Sequence, residues 1–368
     1  MTGIGTENVE ADTTAAQRIA PLRFWKRWPE WIRDAALVWT LIYGTAALYW
    51  SLGGAGFPLG LENDPAAGSS IFSRATASAG APIAAVLCLL GAIALLLFRL
   101  RVRGLVRTLL LGYAWIAAAT LIFAVPDARV LIATAYAPIA LVAALIGRPV
   151  HYLDSFSWPI VHQFVCLAGG LLWGAAVLSF QRRTRDACAS CGRRSGASRE
   201  TVAETAARWG RRATYVAIGS PVYYDATRIA WLFRIPLGIS REMLDDLWST
   251  GGVWAGMGLA LVSLTGTVLM HGLIRPWGEI FPRWVPFWAG KRVPPALAIV
   301  PAALASVMIA VTGIQVAGQF LFEPAIVGLG WGASTPLLLL PVWGVALGIA
   351  TIAYYYRRRG RCEKCGRG

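Results

Sequence analysis

The sequence predicts an all-α fold, a polytopic transmembrane helical bundle, and three observations lead to it. Of the 368 residues 57% are hydrophobic and only 14% charged, and the mean hydropathy of +0.56 is too high for a soluble chain of this length. The apolar residues fall into runs of membrane-crossing length, since a helix needs about 20 residues to traverse the hydrocarbon core. The basic residues gather at the ends of those runs, which is where membrane anchoring places them. The 17 Trp and 11 Tyr suit the same architecture, because amphipathic rings collect where lipid meets water.

Residues 1–24 mix Thr, Ala, Glu and Asp without an apolar core and read as a disordered cytosolic tail. The first apolar run follows Arg23, Lys26, Arg27 and Arg33, so it is expected to act as an uncleaved anchor. Eight spans are predicted, over 35–53, 80–98, 105–125, 160–180, 213–233, 252–274, 295–317 and 334–356. A ninth run, 129–147, is long enough but is flanked by Pro126-Asp127 and Arg148-Pro149 and interrupted by Pro138. Lys and Arg concentrate on the cytosolic side of membrane proteins. Eight spans with an inside N-terminus put 28 of the 34 Lys and Arg in the cytosol, whereas nine spans give at best 21 against 12 outside. Eight is therefore the expected number, with nine as the alternative, and 129–147 becomes an extracytoplasmic amphipathic or re-entrant segment. Localisation follows as a bacterial plasma membrane, with both termini cytosolic. Lysine is confined to Lys26, Lys291 and Lys364, and this Arg-for-Lys bias, with abundant Ala and Gly, points to a GC-rich bacterial genome.

The chain also reads as a duplication. Tyr43 to Trp50 and Tyr224 to Trp231 share a spacing, and they are followed by Phe57-Pro58-Leu59-Gly60-Leu61 and Ile235-Pro236-Leu237-Gly238-Ile239. The next spans open at Ser78-Ala-Gly80 and Ser249-Thr-Gly251, and Gly174 and Gly348 hold matching places further on. Arg182-Arg183-Thr-Arg185-Asp-Ala-Cys188 then corresponds to Tyr356-Arg357-Arg-Arg359-Gly-Arg-Cys362. The expected organisation is the tail, a first membrane repeat over 25–194, a cytosolic linker over 195–212 and a second repeat over 213–368. Four spans per half bring both halves in from the same face, so the repeats are parallel and related by an axis along the membrane normal.

Each repeat ends in a C-x-x-C-G turn, Cys188-Ala-Ser-Cys191-Gly192 and Cys362-Glu-Lys-Cys365-Gly366. Two such turns supply the four thiolates of a closed tetrahedral zinc site, provided the fold brings them within reach of one ion. A reducing cytosol favours metal over disulfide, and Arg185, Arg193, Arg361 and Lys364 would stabilise thiolates. A thiol–disulfide redox pair and a set of unpartnered thiols are the competing readings. Four cysteines leave no open position and no histidine lies near, so the zinc is expected to be structural. Cys88 and Cys166 lie inside apolar spans and read as small core residues.

Charge inside the membrane is rare and is by default a functional candidate. Asp225 and Arg228 fall in the fifth span three residues apart, where they could pair, either as a polar element of a transport path or as an ion pair that locks helices or faces a small water pocket, and Ser220-Pro221 should kink the helix one turn earlier. His162 and Gln163 near the end of the fourth span, and Gln315 and Gln319 in the seventh, either make interhelical hydrogen bonds or line a cavity. The loops on the outer side carry Glu62, Asp64, Asp127, Asp154, Glu242, Asp245, Asp246 and Glu323, an acidic set expected to be solvated. The loop 275–292 is dense in Trp, Pro and Arg, which fits a segment lying at the lipid interface or one that binds a cytosolic protein partner.

No Walker loop, nucleophile elbow, H-E-x-x-H helix or haem-attachment motif occurs, so no catalytic or cofactor-binding residues are assigned and no nucleic acid is expected as a partner. Tyr49-Trp50-Ser-Leu-Gly53-Gly54, the Arg275-Pro-Trp-Gly-Glu loop with Pro282-Arg-Trp, and the run from Trp173-Gly174 to Cys188-x-x-Cys191-Gly-Arg193 together resemble an uncharacterised family of multi-pass integral membrane proteins from Streptomyces-like actinobacteria. That resemblance implies a compartment and a lineage but no substrate. The functional expectation is a small-solute or ion transporter with a structural zinc clasp, and the alternative is a membrane scaffold or sensor that meets a cytosolic partner.

Overall fold

A computed structural model describes residues 27–147, 152, 156–193, 199–322 and 330–367. The tail 1–24, Arg148-Pro149, Asp154, the start of the linker at 195–198, and Glu323 lie outside the described residues. Every regular element described is helical: α1 (Trp28–Ser51), α2 (Ala77–Leu97), α3 (Gly104–Ala119), α4 (Ala128–Leu145), α5 (Trp158–Arg183), α6 (Arg199–Gly219), α7 (Val222–Leu232), α8 (Arg241–Ser249), α9 (Gly252–His271), α10 (Pro295–Phe322), the short α11 (Trp331–Ser334) and α12 (Leu340–Arg358). Seven helical segments among the described residues are long and apolar enough to cross a bilayer: 77–97, 104–124, 128–145, 158–183, 252–271, 295–320 and 331–358. Their outward faces carry Leu89, Ile116, Val268 and Ile352, among others, a surface that only lipid would cover. The protein is therefore a multi-pass membrane protein by helix length and composition.

Two expected spans are missing from those seven, and they are the first span of each proposed half. α1 forms as expected but mixes its apolar residues with Trp, Tyr and charged side chains at its start. The run 213–233 divides into α6 and α7 at Ser220-Pro221, because proline has no N–H to continue the helix. The two runs nevertheless end alike. Gly53 and Arg234 adopt left-handed backbone (φ 90° and 58°), with Gly53 N and Arg234 N donating to Trp50 O and Trp231 O, and Gly54 N and Ile235 N donating to Tyr49 O and Ala230 O. Both are Schellman caps.

Packing pairs the helices α1 with α2, α1 with α5, and α3 with α5 at one end of the chain, and α7 with α9, α6 with α12, and α10 with α12 at the other. In the first group Phe98 and Phe180 stack at 4.2 Å and the Trp173 indole donates to Thr40 Oγ1 at 3.0 Å. In the second, Gly344 lets α12 approach α10 so closely that a Cβ there would lie 2.5 Å from Ala310 N. α4 is one continuous helix in spite of Pro138. It begins after a π turn at Thr120–Ala124 and is capped by Asp127, whose carboxylate accepts from Arg129 N. Its hydrogen-bonded neighbours are Gln315 of α10 and Ala255 of α9, both on the halves of those helices remote from the cysteines.

Candidate metal centre and buried polar residues

The C-terminal turns of α5 and α12 deliver the cysteines. In each turn the first cysteine's N–H donates to a carbonyl five residues on (Cys188 N to Arg193 O, 3.1 Å; Cys362 N to Arg367 O, 2.9 Å), and the glycine N–H donates back (Gly192 N to Cys188 O, 2.7 Å; Gly366 N to Cys362 O, 2.8 Å). Closing so tight a turn needs left-handed backbone, which Gly192 and Gly366 supply at φ 71° and 67°. The thiols of the two turns face each other. Cys188 Sγ lies 3.9 Å from Cys362 Sγ and Cys191 Sγ 3.6 Å from Cys365 Sγ, and all four sulfurs lie within 4.8 Å of one another. A tetrahedron of thiolates around an ion at about 2.3 Å has sulfur–sulfur edges of about 3.8 Å, so the four side chains are placed to hold a single metal ion with shifts of no more than about 1 Å.

Their surroundings hold the turns together without using the sulfurs. Arg193 donates across to Gly360 O at 3.0 Å and to Arg367 O, while Arg367 donates back to Arg193 O at 3.2 Å. Arg182 binds the carbonyls of Ala189 and Ser190 within the first turn, and Lys364 of the second reaches Glu30 on α1 at 2.6 Å. Burial pushes the Cys191 thiol up to about 12. At Cys362 the same burial is outweighed by the N–H groups of Cys365 and Lys364, which bring it down to about 7. Metal binding requires thiolates, so the ligands of such a site release their protons to the ion.

The intramembrane polar residues fall into separate places. Asp225 and Arg228 do not pair, contrary to expectation. Asp225 Oδ2 accepts from Ser263 Oγ of α9 at 3.2 Å, whereas the Arg228 guanidinium lies over the rings of Tyr224 and Trp231 and donates to Gly332 O. Aromatic faces one turn before and after Arg228 compete successfully for the cation. His162 Nε2 shares a 2.8 Å hydrogen bond with the Tyr43 hydroxyl and lies 3.3 Å from Cys166 Sγ, so Cys166 belongs to a polar contact in addition to the core. Gln163 and Gln315 grip the turn between α3 and α4. Gln163 accepts from Asp127 N and donates to Asp127 Oδ2, and Gln315 accepts from Ala128 N and donates to Pro126 O. They make interhelical bonds; Gln319, one turn beyond, is half-buried.

One assembly escaped the sequence reading. Arg129 bridges Asp64 and Asp127 with bonds to both carboxylates, and all three side chains are largely withdrawn from solvent. Two of the acidic loop residues expected to be solvated are therefore buried around one shared cation. The available signal was Asp127-Ala-Arg129 at a helix start, with an acid that can cap and an arginine two residues on.

The loop 275–292 folds as a small hairpin, with Ile280 opposite Arg292 and Phe281 N donating to Lys291 O at 3.0 Å. Its base is fixed by Tyr354 donating to Gly278 O and by Glu279 beside Arg357 and Arg358. Its tip leaves Trp284 82% and Phe287 89% exposed.

No family model matches the chain, and no curated protein or solved structure does so either. The family resemblance rests on the sequence motifs alone.

Proposed function

We propose that this protein is a small-solute or ion transporter of a bacterial plasma membrane, built from two parallel four-helix halves and clasped on the cytosolic face by a structural zinc ion held by Cys188, Cys191, Cys362 and Cys365. The observation that carries the clasp is the convergence of four sulfurs from two turns 174 residues apart within 4.8 Å. The duplication draws support from the matching Schellman caps, the matching helix pairings and the identical hydrogen bonding of the two cysteine turns. Eight spans rest on the charge count, which makes α4 an extra outer-side helix although 128–145 is itself long and apolar enough to cross. The transport reading is supported by Asp225, a buried carboxyl in an apolar helix layer with no ionic partner among the described residues.

Reconstituted protein should take up a labelled solute from a panel of ions, amino acids and sugars, and Asp225→Ala should abolish that uptake. Equal flux in empty and loaded vesicles for the whole panel would end the transport reading. The exposed Trp284 and Phe287 favour a second reading, a scaffold that binds a cytosolic partner through the hairpin and clasp. Absent flux together with a protein retained by the full chain, and lost in the double variant Trp284→Ser/Phe287→Ser, would favour it.

A further inference from the structure

Asp225 stands at the head of a polar stripe. Its carboxyl is 3% exposed, and while Oδ2 accepts from Ser263, Oδ1 has no partner. Below Ser263 on α9 come Thr267 and His271, at four-residue intervals and hence on one helix face. Thr267 breaks the habit of its neighbours. The hydroxyls of Thr40, Thr214, Thr265, Thr312 and Thr351 each donate to the carbonyl four residues back, whereas Thr267 Oγ1 is buried and has no partner. The His271 ring closes the stripe in the last turn of α9, with Nδ1 2.9 Å from Thr267 O, at the end of the helix nearest the hairpin. On the other side of Asp225, Arg228 lies under Tyr224 and Trp231 against Gly256.

A carboxylate without a counter-charge is costly in apolar surroundings, while the protonated acid needs only hydrogen-bond partners. We propose that Asp225 is a proton-binding site that exchanges with the clasp-side solution through Ser263, Thr267 and His271, with Arg228 closing the opposite side to cations. This rests on the transport reading and names the proton as its coupling ion. The step is a simple transfer: imidazolium and carboxylate become imidazole and carboxylic acid, and the reverse. Successive stripe residues stand about 6 Å apart along the axis, a gap that one bridging water spans. The other titratable or charged groups on the elements around Asp225 are Tyr223, Tyr224 and Arg228 on α7, Arg129 and Tyr136 on α4, and Glu204, Arg208, Arg211, Arg212 and Tyr215 on α6. None makes an ion pair or hydrogen bond with its carboxyl among the described residues.

The test is infrared difference spectroscopy of the purified full-length protein between acid and neutral pH. A protonated-carboxyl carbonyl band should appear at acid pH and vanish in Asp225→Asn, and its deuterium exchange should be slowed several-fold in Thr267→Val and His271→Gln. Should Asp225→Asn fail to fold, Ser263→Ala removes the carboxyl's one donor and must shift the same band. No band dependent on Asp225 or Ser263, or exchange at wild-type rates in both stripe variants, would overturn the proposal. Solute uptake that requires Asp225 without the band would overturn this inference and leave the transport reading standing; the band without uptake of any solute would overturn the transport reading and the coupling role with it, leaving Asp225 as a proton-binding site alone.

Discussion

The two helical groups of this protein agree at their clasp-side ends and differ in the membrane. The cysteine turns share the same two backbone hydrogen bonds, and Arg183 and Arg357 each reach back to a carbonyl near the end of the second long helix of their group, Phe98 O and Leu273 O. Between those ends the interiors diverge. Under the proposed duplication Asp225 and Arg228 of the second group would match Gly44 and Ala47 of the first, and the first group's contact of His162 with Tyr43 has no charged partner among the described residues. The difference teaches that the two groups share the bonds that tie their cysteine turns in place and, among the described residues, share none of the polar contacts of their interiors. Gly44 is also required sterically, since a Cβ there would lie 2.9 Å from Cys88 Cβ.

The comparison can be broken first at the clasp. Cys188→Ser with Cys362→Ser should remove all bound metal and give the largest loss of thermal stability, because structural zinc sites contribute on the order of 10 kcal/mol in small domains; metal analysis and a melting curve check it. Acid should have the same effect in the wild type, since protonation of the thiolates competes with the metal, and metal content should fall as pH falls. Next in size is Arg129→Ala, which leaves Asp64 and Asp127 buried without their cation and should destabilise by about 3–5 kcal/mol; the double change Asp64→Asn/Asp127→Asn in that background should recover part of the loss. Gly44→Ala sharpens the contrast between the two interiors, costing about 1–3 kcal/mol through overpacking against Cys88, readable as a lower melting temperature with metal content unchanged. Lys364→Ala breaks an exposed pair with Glu30 and should leave both melting temperature and metal content unchanged.

Much of this was legible in the sequence, for physical reasons that differ by element. The spans showed because apolar runs of membrane length have few alternatives. The cysteine turns showed because ligand type, spacing and the following glycine are all local. Partner choice was not legible. The sequence spacing of Asp225 and Arg228 suggested a pair, yet Arg228 sits within reach of Tyr224 and Trp231 on its own helix and Asp225 faces Ser263 across a helix boundary. Asp64 and Asp127 read as solvated loop acids because their common partner Arg129 is brought to Asp64 only by the tertiary fold. The runs 35–53 and 213–233 read as spans in the sequence but are not among the seven segments long and apolar enough to cross: α1 carries Glu30, Arg33 and Asp34 near its start, and the break at Ser220-Pro221 leaves the second run divided between a polar helix and an 11-residue one.

The central claim is that one metal ion joins the two groups through four cysteines. Zinc should be measured in the purified full-length protein, alongside alkylation of its thiols before and after chelation. The account predicts about one zinc per chain and four thiols that become reactive only when the metal is withdrawn. Less than about half an equivalent of zinc, with the same four thiols alkylated freely from the start, would contradict it.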